Sequence, residues 1–234
     1  MHTVVATMQS VDEATLDVAV VNAGKQYWQQ CRNTFLAPAD YYERQAAALA
    51  RVLPTYLAAG ATALDLGCGN GVFTLLIARL VAHVHGVDLS PALITEAQEL
   101  ARRTETPNAT FAVRDLETRT VPPRVDAVFC MGVLVTIPSD AVARNILVEA
   151  ALALQPGGVL VLRDSVSVGG PELVQHDTGY LARYRPERQF IALVTDAGFE
   201  LSESHVLLEW PGYVNRMMVF RRTADTPRGD ALAG

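Results

Sequence analysis

Apolar residues along this chain gather into short dense runs, separated by stretches where they recur every three or four places. The clearest run covers residues 61–66, Ala-Thr-Ala-Leu-Asp-Leu. It leads into the alternation Gly67-Cys68-Gly69-Asn70-Gly71, and the helical pattern Val72-Phe73-Thr74-Leu75-Leu76-Ile77-Ala78 follows. This order predicts a buried strand, a tight glycine turn and a helix. The motif then recurs. Residues 82–88 form a short strand pattern closed by Asp88, and Ser90-Pro91 opens a helix over 91–103, with serine as N-cap and proline at the first helical position. Residues 110–115 and 125–131 read as a third and a fourth strand, with a helix at about 139–154 after the fourth. Gln155-Pro156-Gly157-Gly158 turns the chain into the most apolar strand, 159–163. Near-continuous apolar strands alternating with helices imply a parallel sheet covered on both faces.

The flanks are less regular. Residues 1–10 are expected to fray. A loose helical pattern over 11–21 is broken by Asn22-Ala23-Gly24, and Tyr27-Trp28 opens a second short piece ending near Phe35. Pro38 and Asp40 start an alanine-rich helix over 41–53, bracketed by Pro54 and Gly60. After Asp164, residues 165–185 mix Gly169-Gly170-Pro171 with charges and predict an irregular insertion. A helix over 186–197 closes on Gly198, and strands over 199–209 and 213–222 form an antiparallel hairpin on the sheet edge. The expected fold is α/β, a doubly wound, mostly parallel seven-stranded Rossmann-like sheet with an antiparallel C-terminal hairpin and helices on both faces. Residues 1–55 are expected to form a helical lid and 56–222 the ligand-binding domain, with the 165–185 insertion on its substrate side. Residues 223–234 are expected to be a disordered tail.

Composition narrows the class. The 234 residues suffice for one domain with a full core, and no stretch reaches the roughly 18 unbroken apolar residues of a membrane helix. Residues 1–10 show no signal-peptide pattern. The scattered cysteines, Cys31, Cys68 and Cys130, fit a reduced cytoplasmic protein. A net charge of −6 and a single lysine, Lys25, argue against nucleic acid as partner. A small-molecule ligand is expected, with no membrane partner; the oligomeric state is left open, a homodimer being one form.

The glycine turn decides between two nucleotide-like ligands. A dinucleotide fingerprint requires glycine at the sixth position counted from Gly67, where this chain has Val72. Asp65, ahead of the turn, would also repel a phosphate. An amine or a sulfonium suits that acid better.

Asp65-Leu66-Gly67-Cys68-Gly69-Asn70-Gly71 resembles the first motif of the class I S-adenosylmethionine-dependent methyltransferases. Asp88, 23 residues beyond Asp65, falls where that family places the acid that takes both ribose hydroxyls. Asp115-Leu116 stands where the family holds the adenine, and Leu154-Gln155-Pro156-Gly157-Gly158-Val159 is similar to its turn before the fifth strand. The resemblance covers about residues 60–165 and the terminal hairpin. It implies S-adenosyl-L-methionine as cofactor and S-adenosyl-L-homocysteine as product. It also implies cofactor contacts from Asp65, Gly67, Cys68, Gly69, Asp88, Leu89, Asp115, Leu116 and Met131, with Tyr27 reaching in from the lid.

Methyl transfer from a sulfonium is an in-line displacement in which the enzyme positions the nucleophile and excludes water. A base is needed only when the acceptor starts protonated. Asp164, at the end of the fifth strand, is the candidate to hold an acceptor amine, and His176 the candidate base for a hydroxyl. Tyr27, Trp28, Val133, Asp164 and Tyr180 are the candidate substrate contacts. His83 and His85 share one face of a strand but lack a third ligand, so no metal is expected. The expected reaction is methylation of N or O on a small molecule, such as a natural-product intermediate. The alternatives are a methyltransferase for protein N-terminal amines or tRNA, and a non-catalytic scaffold that binds the cofactor.

Overall fold

The computed structural model describes residues 8–10, 18–32, 39–118, 124–176 and 180–223. In chain order the elements are β1 (Met8–Ser10), α1 (Val18–Gln30), α2 (Ala39–Tyr56), β2 (Thr62–Leu66), α3 (Val72–Ala78), β3 (His83–Asp88), α4 (Pro91–Arg103) and β4 (Ala109–Val113). They continue with β5 (Val125–Met131), a single 3-10 turn at Leu134–Thr136, α5 (Asp140–Ala153), β6 (Leu154–Ser167), β7 (Leu173–His176), β8 (Leu181–Arg183), α6 (Glu187–Thr195), β9 (Phe199–Trp210) and β10 (Tyr213–Arg222).

Seven strands form one sheet in the order β4-β3-β2-β5-β6-β10-β9. The first five run parallel, and β10 pairs antiparallel with both β6 and β9. This is the expected architecture. Its two-sided burial explains the unbroken apolar runs. On β6, Val159 and Val161 face a core with α2, α3 and α4, while Leu160 and Leu162 face a second core with α5 and α6. All four are essentially buried. At about 25 cal/mol per Å² of apolar surface, such strands anchor the sheet from both sides.

The flanks depart from the sequence reading in four places. Residues 18–30 form one helix through Gly24, with no break. A Cβ at Gly24 would meet Leu181 at 3.9 Å, an ordinary contact, so the glycine sits where α1 crosses β8 closely. Helix α2 runs past Pro54 to Tyr56. The Leu57 N–H still reaches the Leu53 carbonyl at 3.0 Å, and the Tyr56 hydroxyl donates to Glu203 at 2.5 Å, which ties the last turn to β9. The region 165–185 is not irregular. β6 continues to Ser167, and β7 and β8 pair antiparallel with Leu173, Val174, Leu181 and Ala182 buried. Finally, residues 8–10 do not fray but pair with β7 as β1, making a small sheet β1-β7-β8. The N-terminal segment and the insertion are therefore one structure over the carboxyl edge of the sheet. The readings for residues 1–7, 11–17, Phe35, Pro38 and 224–234 lie outside the described residues.

Candidate functional site

Strand β2 carries Asp65 to the carboxyl edge and releases the chain into the glycine turn. Gly67, Gly69 and Gly71 adopt φ of 71°, 56° and 80°, a region side chains with a Cβ rarely occupy. At Gly67 space decides as well: a Cβ would lie 2.2 Å from Val133 Cγ2, so the loop after β5 closes directly on the turn. Four N–H groups of the turn bond within the protein. Those of Gly67 and Cys68 donate to the Val87 carbonyl at 2.8 and 3.0 Å, and that of Gly71 donates to the Cys68 carbonyl at 3.1 Å. The Gly69 N–H donates to Asp88 Oδ2 at 2.9 Å. The turn thus presents bare backbone with acids beside it, a poor seat for pyrophosphate and a suitable one for a cationic amino acid end.

Asp65 is buried and accepts from the Thr74 hydroxyl at 2.6 Å. Burial pushes its carboxyl from the ordinary 3.8 up to about 6, against the Thr74 bond and the Arg163 charge; Asp88 nearby adds to the rise. The native state therefore holds a proton between about pH 4 and 6 that the unfolded chain has released. The associated stability is present below about pH 4 and lost as pH rises through about 6, on the order of 3 kcal/mol. An ammonium beside Asp65 favours its ionised form. Affinity for S-adenosylhomocysteine should accordingly climb between pH 5 and 7 and level off above, as calorimetry at stepped pH will read. Asp65→Asn should flatten that profile; an unchanged slope in the variant would assign the proton elsewhere.

Asp88 ends β3, where the Gly69 and Ser90 N–H groups donate one bond to each carboxylate oxygen, both at 2.9 Å. Burial raises its carboxyl while those amides hold it down. A carboxylate offers about four acceptor positions, so these amides leave part of its accepting capacity free. Asp115, beyond β4, accepts from the Glu117 N–H at 2.9 Å and pairs with Lys25 of α1 at 2.7 Å. Lys25 also reaches Glu117 at 3.2 Å. Arg114 turns away from Asp115 and pairs with Glu149 at 2.5 Å. Leu89 and Leu116 are half-buried, and Cys68 is buried against Gly86 of β3.

Helix α1 lies over this edge. Besides the Lys25 pair, the Ser90 hydroxyl donates to the Cys31 carbonyl at 2.9 Å. Tyr27 and Trp28 stack edge-on with centroids 5.1 Å apart, and each contacts Tyr180, at 5.6 and 5.2 Å. The Lys25 pair is half-exposed and contributes about 0–1 kcal/mol. Lys25→Met should hardly shift the melting temperature, yet amide exchange over 18–30 should speed up and S-adenosylhomocysteine should leave several-fold faster. Unaltered exchange would show that Ser90 and the aromatic contacts hold α1 alone.

The candidate catalytic groups stand on other strands, β6 and β7. His176 is on β7, buried and stacked on Tyr180 at 4.2 Å, with Nε2 3.0 Å from the Tyr184 hydroxyl. Asp164 does not end its strand, since β6 runs three residues further. It is buried and accepts from the Val135 and Ser165 N–H groups at 3.3 and 3.1 Å, which sets it under the 3-10 turn. Burial pushes its carboxyl up to about 6, with Arg163 opposing. Tyr184 connects the two, bonded to His176 and within electrostatic reach of Asp164. Arg185 locks the same turn by donating to the Leu134 and Ile137 carbonyls, both at 2.8 Å.

Met131 is buried at the end of β5. Above it the structure adds Gln45, which the sequence reading missed. Gln45 is fully buried on α2 with Nε2 3.7 Å from Met131 Sδ. The available signal was a glutamine one helical turn after Tyr41 in an otherwise alanine-rich apolar stripe. Two open grooves along α4, about 610 and 800 Å³, contain none of these acids and lie outside the site.

Known proteins resemble this chain in sequence and in fold. Residues 63–158 match the family described as a methyltransferase domain. A ubiquinone biosynthesis O-methyltransferase of Xanthomonas euvesicatoria is 30% identical over 179 residues, 70% of this chain and 73% of that protein. A trans-aconitate 2-methyltransferase of Methylobacterium nodulans is 37% identical over 131 residues, 55% of this chain and 47% of that protein. Across such curated relatives the chain spans between 39% and 73% of their lengths. Among solved structures, the Burkholderia thailandensis 1,6-didemethyltoxoflavin-N1-methyltransferase superposes with a TM-score of 0.71 at 22% identity, covering 94% of this chain and 96% of that one. With the glycine turn, the strand-end acids and the sheet order in place, the chain belongs to the class I S-adenosylmethionine-dependent methyltransferases.

Proposed function

We propose that this protein transfers the methyl group of S-adenosylmethionine to a nitrogen or oxygen of a compact, partly aromatic small molecule of the kind made in natural-product pathways. The observation that carries the reading is an aromatic cluster. Tyr27, Trp28 and Tyr180 pack together where α1 meets the β7–β8 hairpin, and Lys25 on the same helix pairs with Asp115 at the end of β4. The bound donor supplies an activated methyl on sulfur. The chain's own residues then orient the acceptor and exclude water. Relatives named for ubiquinone biosynthesis, trans-aconitate and a toxoflavin precursor all act on small molecules, which supports the substrate class.

In this reading His176, with Tyr184, accepts the proton of a hydroxyl acceptor. Asp164 orients the site through the Val135 N–H and the 3-10 turn. Asp164→Asn should leave S-adenosylhomocysteine affinity intact while lowering turnover about tenfold, through the misplaced turn. Normal turnover would remove Asp164 from the account.

The experiment is direct. The protein is incubated with methyl-labelled donor and a small-metabolite extract, and label is followed in low-mass and macromolecular fractions. Label in the low-mass fraction is expected. Label only on macromolecules would favour a protein or tRNA acceptor, and none in either would favour a binding scaffold.

A further inference from the structure

The segment that carries His176 and Tyr180 ends in two arginines, Arg183 and Arg185, and both reach across to the connection between β5 and α5. Arg185 is 2% exposed. Its Nε donates to Asp140 Oδ1, Nη1 to the Leu134 carbonyl and Nη2 to the Ile137 carbonyl, each at 2.8 Å. Arg183 Nη1 adds a bond to the Pro138 carbonyl at 3.0 Å. The backbone beneath Arg185 is fixed as well, because the Ser167 N–H at the end of β6 donates to the Arg185 carbonyl at 2.9 Å.

One planar fork thus meets three acceptors in three directions, an arrangement that an ammonium cannot reproduce. Burying such a charge costs several kcal/mol of desolvation and is tolerated only where its partners offset it. Folding of the turn does not require it: the Leu134 side chain is itself buried in the core with α5 and α6 and anchors the turn there. What the guanidinium adds is the direction of the carbonyls, and with it the placement of the residues beside them. Val133 opens the 3-10 turn, and its Cγ2 occupies the space that a Cβ on Gly67 would need. Val135 directs its N–H to Asp164. Between them the Leu134 carbonyl is gripped twice, by Arg185 and by the Ile137 N–H at 3.2 Å. A shift of that carbonyl moves Val133 over Gly67.

We infer that Arg185 is a positioning residue for the cofactor. From the hairpin side it sets Val133 against the glycine turn, and so sets the fit of the amino acid end of S-adenosylmethionine. This rests on the reading of that turn as the seat of the amino acid end. Asp88 and Asp115, the candidate adenosine contacts, are held by other bonds. The effect of Arg185 is therefore confined to one end of the ligand.

The test compares S-adenosylhomocysteine with 5′-methylthioadenosine, which keeps the adenosine and the sulfur but lacks the amino acid end, by calorimetry on the full chain. Arg185→Lys keeps the charge and loses the fork. It should weaken S-adenosylhomocysteine about tenfold and 5′-methylthioadenosine by no more than about twofold. A merely structural role would move both alike or neither, and either result overturns the inference. Val133→Ala leaves the bonds of Arg185 in place and should show the same selective loss. Adding Arg185→Lys to it should then weaken S-adenosylhomocysteine by less than about twofold more, and a full further loss would show that Arg185 does not act through Val133. Val133→Ala also carries the test should Arg185→Lys fail to fold, since unchanged S-adenosylhomocysteine affinity there overturns the route. If the unsubstituted protein does not bind S-adenosylhomocysteine, the cofactor reading fails and the inference with it. If it binds and the variants do not discriminate, only the role of Arg185 falls.

Discussion

Replacing Gly67 by alanine is expected to destabilise the protein by about 3 kcal/mol and to abolish measurable binding of S-adenosylhomocysteine. Two costs combine. A residue with a Cβ held at φ 71° loses about 1–2 kcal/mol relative to its preferred conformations. The new Cβ would also stand 2.2 Å from Val133 Cγ2, far inside contact distance, and forcing the two apart in a packed site costs about 1–3 kcal/mol. Valine has no flexible end to swing away, because the clashing carbon is attached to its Cβ. The loop from Met131 to Val133 must shift, and it carries the Gly132 N–H bond to the Arg163 carbonyl with it. Denaturant unfolding with titration checks both effects. The double variant Gly67→Ala, Val133→Ala removes the clash and keeps the backbone strain, so it should recover about half of the lost stability. No recovery would mean that the contact between the turn and the β5 loop is not what holds Gly67 in place.

Asp88→Ala is the second large effect, expected to weaken S-adenosylhomocysteine by at least about tenfold while leaving the fold intact. The side chain does two jobs. It accepts from the Gly69 and Ser90 N–H groups and so fixes the glycine turn against the N-terminus of α4. It also places its remaining lone pairs at the edge where the ribose is expected. Truncation leaves both amides without their acceptor, yet it also removes a half-buried carboxylate whose ionisation is opposed by desolvation. These stability terms offset each other in part, whereas nothing replaces the bonds to the hydroxyls. Asp88→Asn keeps the shape and one acceptor, so its affinity should fall between the two. Equal affinity in all three proteins would place the ribose elsewhere.

Much of this was legible in the sequence, and for a physical reason. Strands buried on both faces, such as 159–162, are apolar without interruption, and a strand followed by a glycine turn leaves little freedom in how the chain continues. Asp65 and Asp88 stand out because acids at the ends of such strands have no packing role. The cover was less legible. β1 spans three residues and β7 four, too short for periodicity to register, and their pairing joins segments more than 160 residues apart. Gly24 read as a breaker because glycine's low helix propensity is local, whereas the packing of α1 on β8 that keeps the helix continuous is a tertiary fact. The Lys25–Asp115 pair and the Gln45–Met131 contact are long-range in the same way. Asp164 kept its position next to Arg163 in the chain, but the bond from Val135 that turns it inward depends on the 3-10 turn above it.

The central claim is that the glycine turn with Asp65 and Asp88 is a seat for S-adenosylmethionine and not for a dinucleotide. It is tested most directly by titrating one sample of the unsubstituted protein with S-adenosylhomocysteine and with NADH in a calorimeter. The account predicts saturable one-to-one binding of S-adenosylhomocysteine and no heat with NADH. Binding of NADH without S-adenosylhomocysteine would contradict it.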